Sequence, residues 1–95
     1  MHWLICFDIQ HDPTRARVSR YLEKVGVRVQ GSVFEVVLRK ESHRNRLIKS
    51  LKAIIARCED AGADIRFYRM NEQTIAMSHT LEGKAVMQFP SSIVV

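Results

Sequence analysis

Apolar positions along the 95 residues fall into four short runs separated by two stretches of helical periodicity. The first run, His2 to Phe7, is apolar on both faces instead of alternating, as expected of a central strand covered on both sides or by a second subunit. Asp8 ends it. Asp12-Pro13 reads as a helix start, with Asp12 accepting from free backbone amides and Pro13 suited to the first helical position. The helix is expected to run to Val25 and stop at Gly26, with Val18, Leu22 and Val25 on one face and Arg17, Arg20 and Lys24 on another. Val27, Val29, Val33, Val36 and Val37 are β-branched and cluster around Gly31, which predicts two strands joined by a tight turn near Gln30-Gly31. Ser42 is a plausible N-cap for a second helix. Its apolar stripe is Leu47, Ile48, Leu51, Ile54, Ile55 and Cys58, with Arg46, Lys49, Lys52 and Arg57 opposite and Gly62 ending the pattern. Asp64 to Met70 alternates as a fourth strand, with Ile65 and Phe67 among polar neighbours.

The order strand, helix, strand, strand, helix, strand is that of an α+β, ferredoxin-like fold: an antiparallel βαββαβ sheet with both helices on one face. The other face then needs cover. After Asn71 the pattern weakens, then returns in Ala85-Val86-Met87-Gln88-Phe89 and Ile93-Val94-Val95. A tail this apolar is expected to add a strand to a second subunit or a partner. The chain therefore reads as one domain over residues 1–95, with a core at 1–80 and a docking tail at 81–95.

Composition narrows the class. No apolar stretch approaches the roughly 18 to 20 residues of a membrane span, and the N-terminal run is too short for a signal peptide, so a cytoplasmic protein without a membrane partner is expected. Cys6 and Cys58 lack ligand spacing and read as reduced core thiols. Fifteen Lys and Arg against ten Asp and Glu give a net charge of +5, a bias toward polyanionic partners. Ten of those bases are Arg, whose forked guanidinium suits phosphate.

Asp8 is the first candidate for chemistry. A carboxylate at a strand end is either a turn acceptor or a ligand for a hard cation such as Mg²⁺, which needs few carboxylates and keeps several waters. Two copies brought together by a two-fold axis would double the ligand count. Arg15 and Arg17 lie in the first turns of the helix, where positive charge opposes the macrodipole, so each calls for a phosphate or carboxylate partner. Ser32 either contacts a ligand or satisfies the turn, and Phe34 is either a stacking platform or core. The histidines His2, His11, His43 and His79 are scattered, and no Gly-rich phosphate loop or triad signature is present.

Several of these residues form a recognisable set. The apolar strand ending in Asp8-Ile9, the helix start with Asp12, Arg15 and Arg17, and the block Arg28-Val29-Gln30-Gly31-Ser32-Val33-Phe34-Glu35 resemble the small CRISPR-associated Cas-two family, the partner of the Cas-one spacer integrase. Asp64-Ile65-Arg66-Phe67-Tyr68 resembles that family's D-x-I-R-x-Y strand, while Phe7 stands where many relatives have Tyr. The resemblance implies a homodimer in which two Asp8 carboxylates share one Mg²⁺, with Arg15, Arg17, Arg28, Ser32 and Phe34 contacting nucleic acid. It implies two functions. One is a metal-dependent endonuclease hydrolysing phosphodiesters of single-stranded RNA or duplex DNA, with Asp8 catalytic. The other, favoured as the biological role, is an adaptor that bridges Cas-one dimers in a heterohexamer and holds double-stranded DNA during spacer acquisition. Alternatives sharing the fold are a toxin-like ribonuclease of the virulence-associated D type and a non-catalytic RNA-binding module.

Overall fold

The computed structural model describes residues 1–87; the predicted strands of the tail beyond Met87 lie outside them. Strand β1 spans His2–Asp8, helix α1 Asp12–Val25, β2 Val27–Gln30, β3 Val33–Val37, helix α2 Glu41–Arg57, β4 Asp64–Met70 and the short helix α3 Glu72–Ala76. The sheet is antiparallel with strand order β2-β3-β1-β4, the ferredoxin-like arrangement that the element order predicts.

Alternation along β1 sorts the two faces. Trp3, Ile5 and Phe7 are buried, and they join Phe34 and Val36 of β3, Val18 and Leu22 of α1, and Leu47 and Leu51 of α2 in one core. Both helices therefore cover the same face. His2, Leu4 and Cys6 point the other way and are half-buried, so β1 is a central strand with one face fully covered and the other covered in part. Residues 78–87 return across that second face, leaving a groove of about 740 Å³ lined by Leu4, Val33, Glu35, Leu81 and Met87 among others. The start of the predicted tail thus folds onto its own sheet: Met87 is buried, and its N–H donates to the Glu35 carboxylate at 3.2 Å.

Element ends depart from the sequence pattern at several points. Helix α1 begins at Asp12 itself, so that residue is the first helical position and its carboxylate pairs with Arg15 one turn on instead of capping. His11 takes the cap position without a capping bond, and its Nδ1 shares a 2.7 Å hydrogen bond with the buried Thr14 hydroxyl. Lys40, not Ser42, precedes α2. That helix is left through Glu59 at φ 51°, a left-handed conformation three residues before Gly62, whose N–H donates to Asp60 Oδ1 at 3.1 Å. Gly26 ends α1 as expected, and its reason is space: a Cβ there would lie 2.5 Å from the Glu35 carbonyl oxygen and 2.7 Å from Val36 Cγ2. The hairpin turn falls at Gly31-Ser32, and the pairing slips between Arg28 and Gln30, a bulge that leaves Val29 exposed. Cys6 and Cys58 are free thiols, yet both are half-buried at the margin instead of lying in the core.

Candidate functional site

Pairing of β1 with β4 sets Asp8 directly opposite Asp64. Residues opposite each other share a face, so both carboxylates stand on the face away from the helices, exposed at one end of the sheet. Two like charges in this position repel, which is a poor choice for stability alone. Gln10 Nε2 donates to Asp8 Oδ1 at 3.1 Å. Arg66, two positions along β4, donates through Nε and its terminal nitrogen to the Asp64 carboxylate at 3.1–3.3 Å. Asp64 is thereby ion-paired, whereas Asp8 keeps an oxygen without a partner among the described residues. Among the described residues no group of three or more His, Cys, Asp or Glu is placed to hold a metal ion. The donor set of one chain fits a weakly held hard cation that keeps most of its water, and a second carboxylate from another copy would complete it.

The predicted arginines divide. Arg15 donates to the backbone carbonyls of Ile9 at 2.8 Å and Gln10 at 3.4 Å and pairs with Asp12, so it ties the loop after Asp8 to the helix. Arg28 pairs with Glu23 at 2.7 Å and lies 5.1 Å above the Phe34 ring. Arg17 has no acidic partner among the described residues and donates to Cys58 Sγ at 3.6 Å, which fixes the end of α2 beside α1. Ser32 presents its carbonyl to the Phe7 N–H at 3.0 Å, extending the β1–β3 ladder by one bond. Phe34 is fully buried against Phe7, with ring centroids 6.1 Å apart and planes 22° from parallel. It offers no exposed ring to a base, and the stacking surface an RNA-recognition module needs is missing at that position.

Two grooves flank α1 on its outer side. One, about 540 Å³, carries Arg15, Arg20 and Arg28 together with Asp12 and Glu23, so its charge is mixed. The second, about 460 Å³, runs between α1 and α2 and is lined by Arg17, Arg20, Tyr21, Lys24, Ile54 and Arg57, with no carboxylate among the described residues. Glu35 is the buried carboxylate of the opposite sheet face. Burial pushes its carboxyl above the ordinary glutamate value, and the Met87 N–H pulls it partly back.

The family model for CRISPR associated protein Cas2 matches residues 1–77. The chain belongs to the CRISPR-associated Cas2 family. It is 34% identical over 93 residues to the CRISPR-associated endoribonuclease Cas2 3 of Synechocystis, covering 98% of this chain and 97% of that protein. A chain of a solved partial Cas6-RT-Cas1–Cas2 complex matches with 46% identity and a TM-score of 0.86, over 93% of this chain and 98% of that one. Streptococcus pyogenes Cas2, solved at pH 6.5, shares the fold at a TM-score of 0.69 and 24% identity, over 85% of this chain and 99% of its own.

Set on the Cas2 frame, the residues flagged from sequence do not form one cluster. Asp8 stands at the end of the open sheet face, while Arg28 and Phe34 share the helix-covered side. Two features escaped the sequence reading. Asp64 faces Asp8 because both end paired strands, a relation visible only once β1 and β4 are known to be neighbours. Arg57 joins Arg17, Arg20 and Lys24 because the two helices lie side by side, although each helix's basic stripe is plain in its own periodicity.

Proposed function

We propose that this Cas2-family chain acts as the homodimeric adaptor of CRISPR spacer acquisition, bridging dimers of the Cas1 integrase and holding duplex DNA between them in the cytoplasm. The observation that carries this reading is the near full-length match to a chain of the Cas6-RT-Cas1–Cas2 complex. Physical features support it. One chain brings a single unengaged carboxylate oxygen at Asp8 and no three-residue metal cluster among its described residues, too little for a self-contained nuclease. Guanidinium and ammonium groups at Arg17, Arg20, Lys24 and Arg57, without acidic partners among the described residues, suit sequence-independent backbone contact. Tyr68 and Val29, large apolar residues at 47% and 44% exposure, lie on or beside the open face, where a second copy would cover them.

Nuclease activity is dispensable in this account. A Mg²⁺ shared by the two Asp8 carboxylates would supply an activated water and neutralise charge on a phosphodiester. The chain's own part would be positional: Arg15 holds the Ile9–Gln10 backbone and Gln10 holds Asp8, fixing the carboxylate at the strand end. The test is assembly. Purified chain, its cognate Cas1 and a short DNA duplex are mixed and sized by light scattering, and a dimer alone plus a heterohexamer with Cas1 is expected. A monomer that forms no complex with Cas1 would overturn the proposal.

A further inference from the structure

Four cations meet in the groove between α1 and α2, and none of them has an acidic partner among the described residues. Several bases elsewhere are paired, Arg15 with Asp12, Arg28 with Glu23, Arg44 with Glu41, Arg66 with Asp64 and Lys84 with Glu82, whereas the groove holds four cations side by side without one acid among the described residues. Folding therefore gathers Arg17, Arg20, Lys24 and Arg57 into about 460 Å³ with no carboxylate among the described residues on its walls. Unit charges some 8–10 Å apart repel by about 0.5 kcal/mol per pair even at the dielectric constant of water, so such a cluster is relieved by an external anion.

The arrangement is also linear. Arg17, Arg20 and Lys24 are spaced by three and then four residues, which puts them on one stripe of α1 about 10 Å long at ~1.5 Å per residue. Arg57 extends the charge onto the neighbouring helix, and the 3.6 Å contact of Arg17 with Cys58 shows the two elements meeting there. Favourable placement near a helix C-terminus explains Lys24 and Arg57 singly. It does not explain Arg17, in the first half of α1, or Arg20, which stands before the last turn. Tyr21 and Ile54 form a half-buried floor that keeps the cations on the rim.

We infer that this groove is a phosphodiester-backbone track, and that Arg20, Lys24 and Arg57, together with Arg17, contact successive phosphates of the bound duplex. The inference rests on the duplex-holding role proposed above and relocates its main contact surface. Arg15 and Arg28 are already matched by Asp12 and Glu23, so each releases fewer counterions on binding than an unpaired cation does.

The experiment is a salt titration of duplex affinity, using the full chain and a short DNA duplex of arbitrary sequence, followed by fluorescence anisotropy. Each phosphate contact contributes about 0.9 to the slope of log affinity against log salt concentration. The triple variant Arg20→Gln/Lys24→Gln/Arg57→Gln is expected to lower that slope by about 2 to 3. A charge-matched triple outside the groove, of bases unpaired among the described residues, Arg39→Gln/Lys40→Gln/Lys49→Gln, is expected to lower it by less than about 1. Circular dichroism melts of both variants confirm that each is folded under the assay conditions. Equal losses in the two triples would overturn the groove and leave only diffuse attraction. A wild-type chain with no salt-dependent duplex affinity would instead refute the duplex-holding role itself.

Discussion

Replacing Phe34 with alanine separates a core residue from a contact residue. The ring is fully buried, stacks on Phe7 at 6.1 Å and lies beneath the Arg28 guanidinium at 5.1 Å. Truncating a buried Phe to Ala destabilises by about 3–5 kcal/mol through lost transfer energy and the cavity left behind. Loss of an aromatic pair, worth about 0.5–1.5 kcal/mol, places this site in the upper part of that range. A domain of this size holds about 5–15 kcal/mol in total, so the variant should sit near the edge of folding. At about 4–8 °C per kcal/mol, the melting temperature should fall by at least ~12 °C. Urea unfolding at fixed protein concentration reads the change directly through Trp3, the single tryptophan, buried edge-on against Phe67 at 6.3 Å. Phe34→Leu keeps most of the volume and should recover more than half of the loss. A Phe34→Ala chain that loses under ~1 kcal/mol yet no longer binds nucleic acid would refute the packing argument.

Gly26→Ala should destabilise by about 1–3 kcal/mol or more, because the new methyl would meet the Glu35 carbonyl oxygen at 2.5 Å and backbone cannot swing aside as a side chain does; a thermal melt indistinguishable from wild type would contradict this close approach. Glu35 has a folded-state pKa raised by burial, so its contribution to stability is fully present below the unfolded value and is lost as pH rises through the folded one. Glu35→Gln, which keeps an acceptor for the Met87 N–H, should therefore raise the melting temperature near pH 7.5, with the gain closing as pH falls toward 4.5; a gain that grows on acidification would reverse the sign. Asp8→Asn removes the repulsion with Asp64 and should be neutral or stabilising by a few tenths of a kcal/mol in metal-free buffer. Added Mg²⁺ should raise the melting temperature of the wild type only, and an equal rise in the variant would remove Asp8 from the metal site.

Much of the fold is plain in the hydrophobic pattern because its elements obey single periods. The Asp64–Met70 strand and the α1 end at Gly26 fall where the alternation and the helical stripe place them. What periodicity misses is partnership. Asp12 and Ser42 carry good capping side chains, yet the helices begin at Asp12 and Glu41, since Arg15 and Arg44 one turn on draw the first-turn acids into ion pairs. Helix α3 went unseen because five residues hold barely one turn of pattern, though Asn71 caps it by accepting from the Thr74 N–H at 2.7 Å. Phe34 shares a face with Ile5, and only the β1–β3 register reveals that this is the covered one. Asp8 was conspicuous from sequence as a carboxylate closing an apolar strand, whereas its neighbour Asp64 and the convergence of Arg20, Lys24 and Arg57 depend on which strands and helices lie side by side.

Spacer integration in vitro with the cognate Cas1 integrase, comparing wild type with Asp8→Asn, tests the adaptor account most directly. The account predicts that the variant assembles with Cas1 and supports integration at the wild-type rate, with any Mg²⁺-dependent cleavage by the isolated chain abolished. Failure of integration by an Asp8→Asn complex that assembles normally would contradict it, placing the Asp8 carboxylate inside the acquisition reaction.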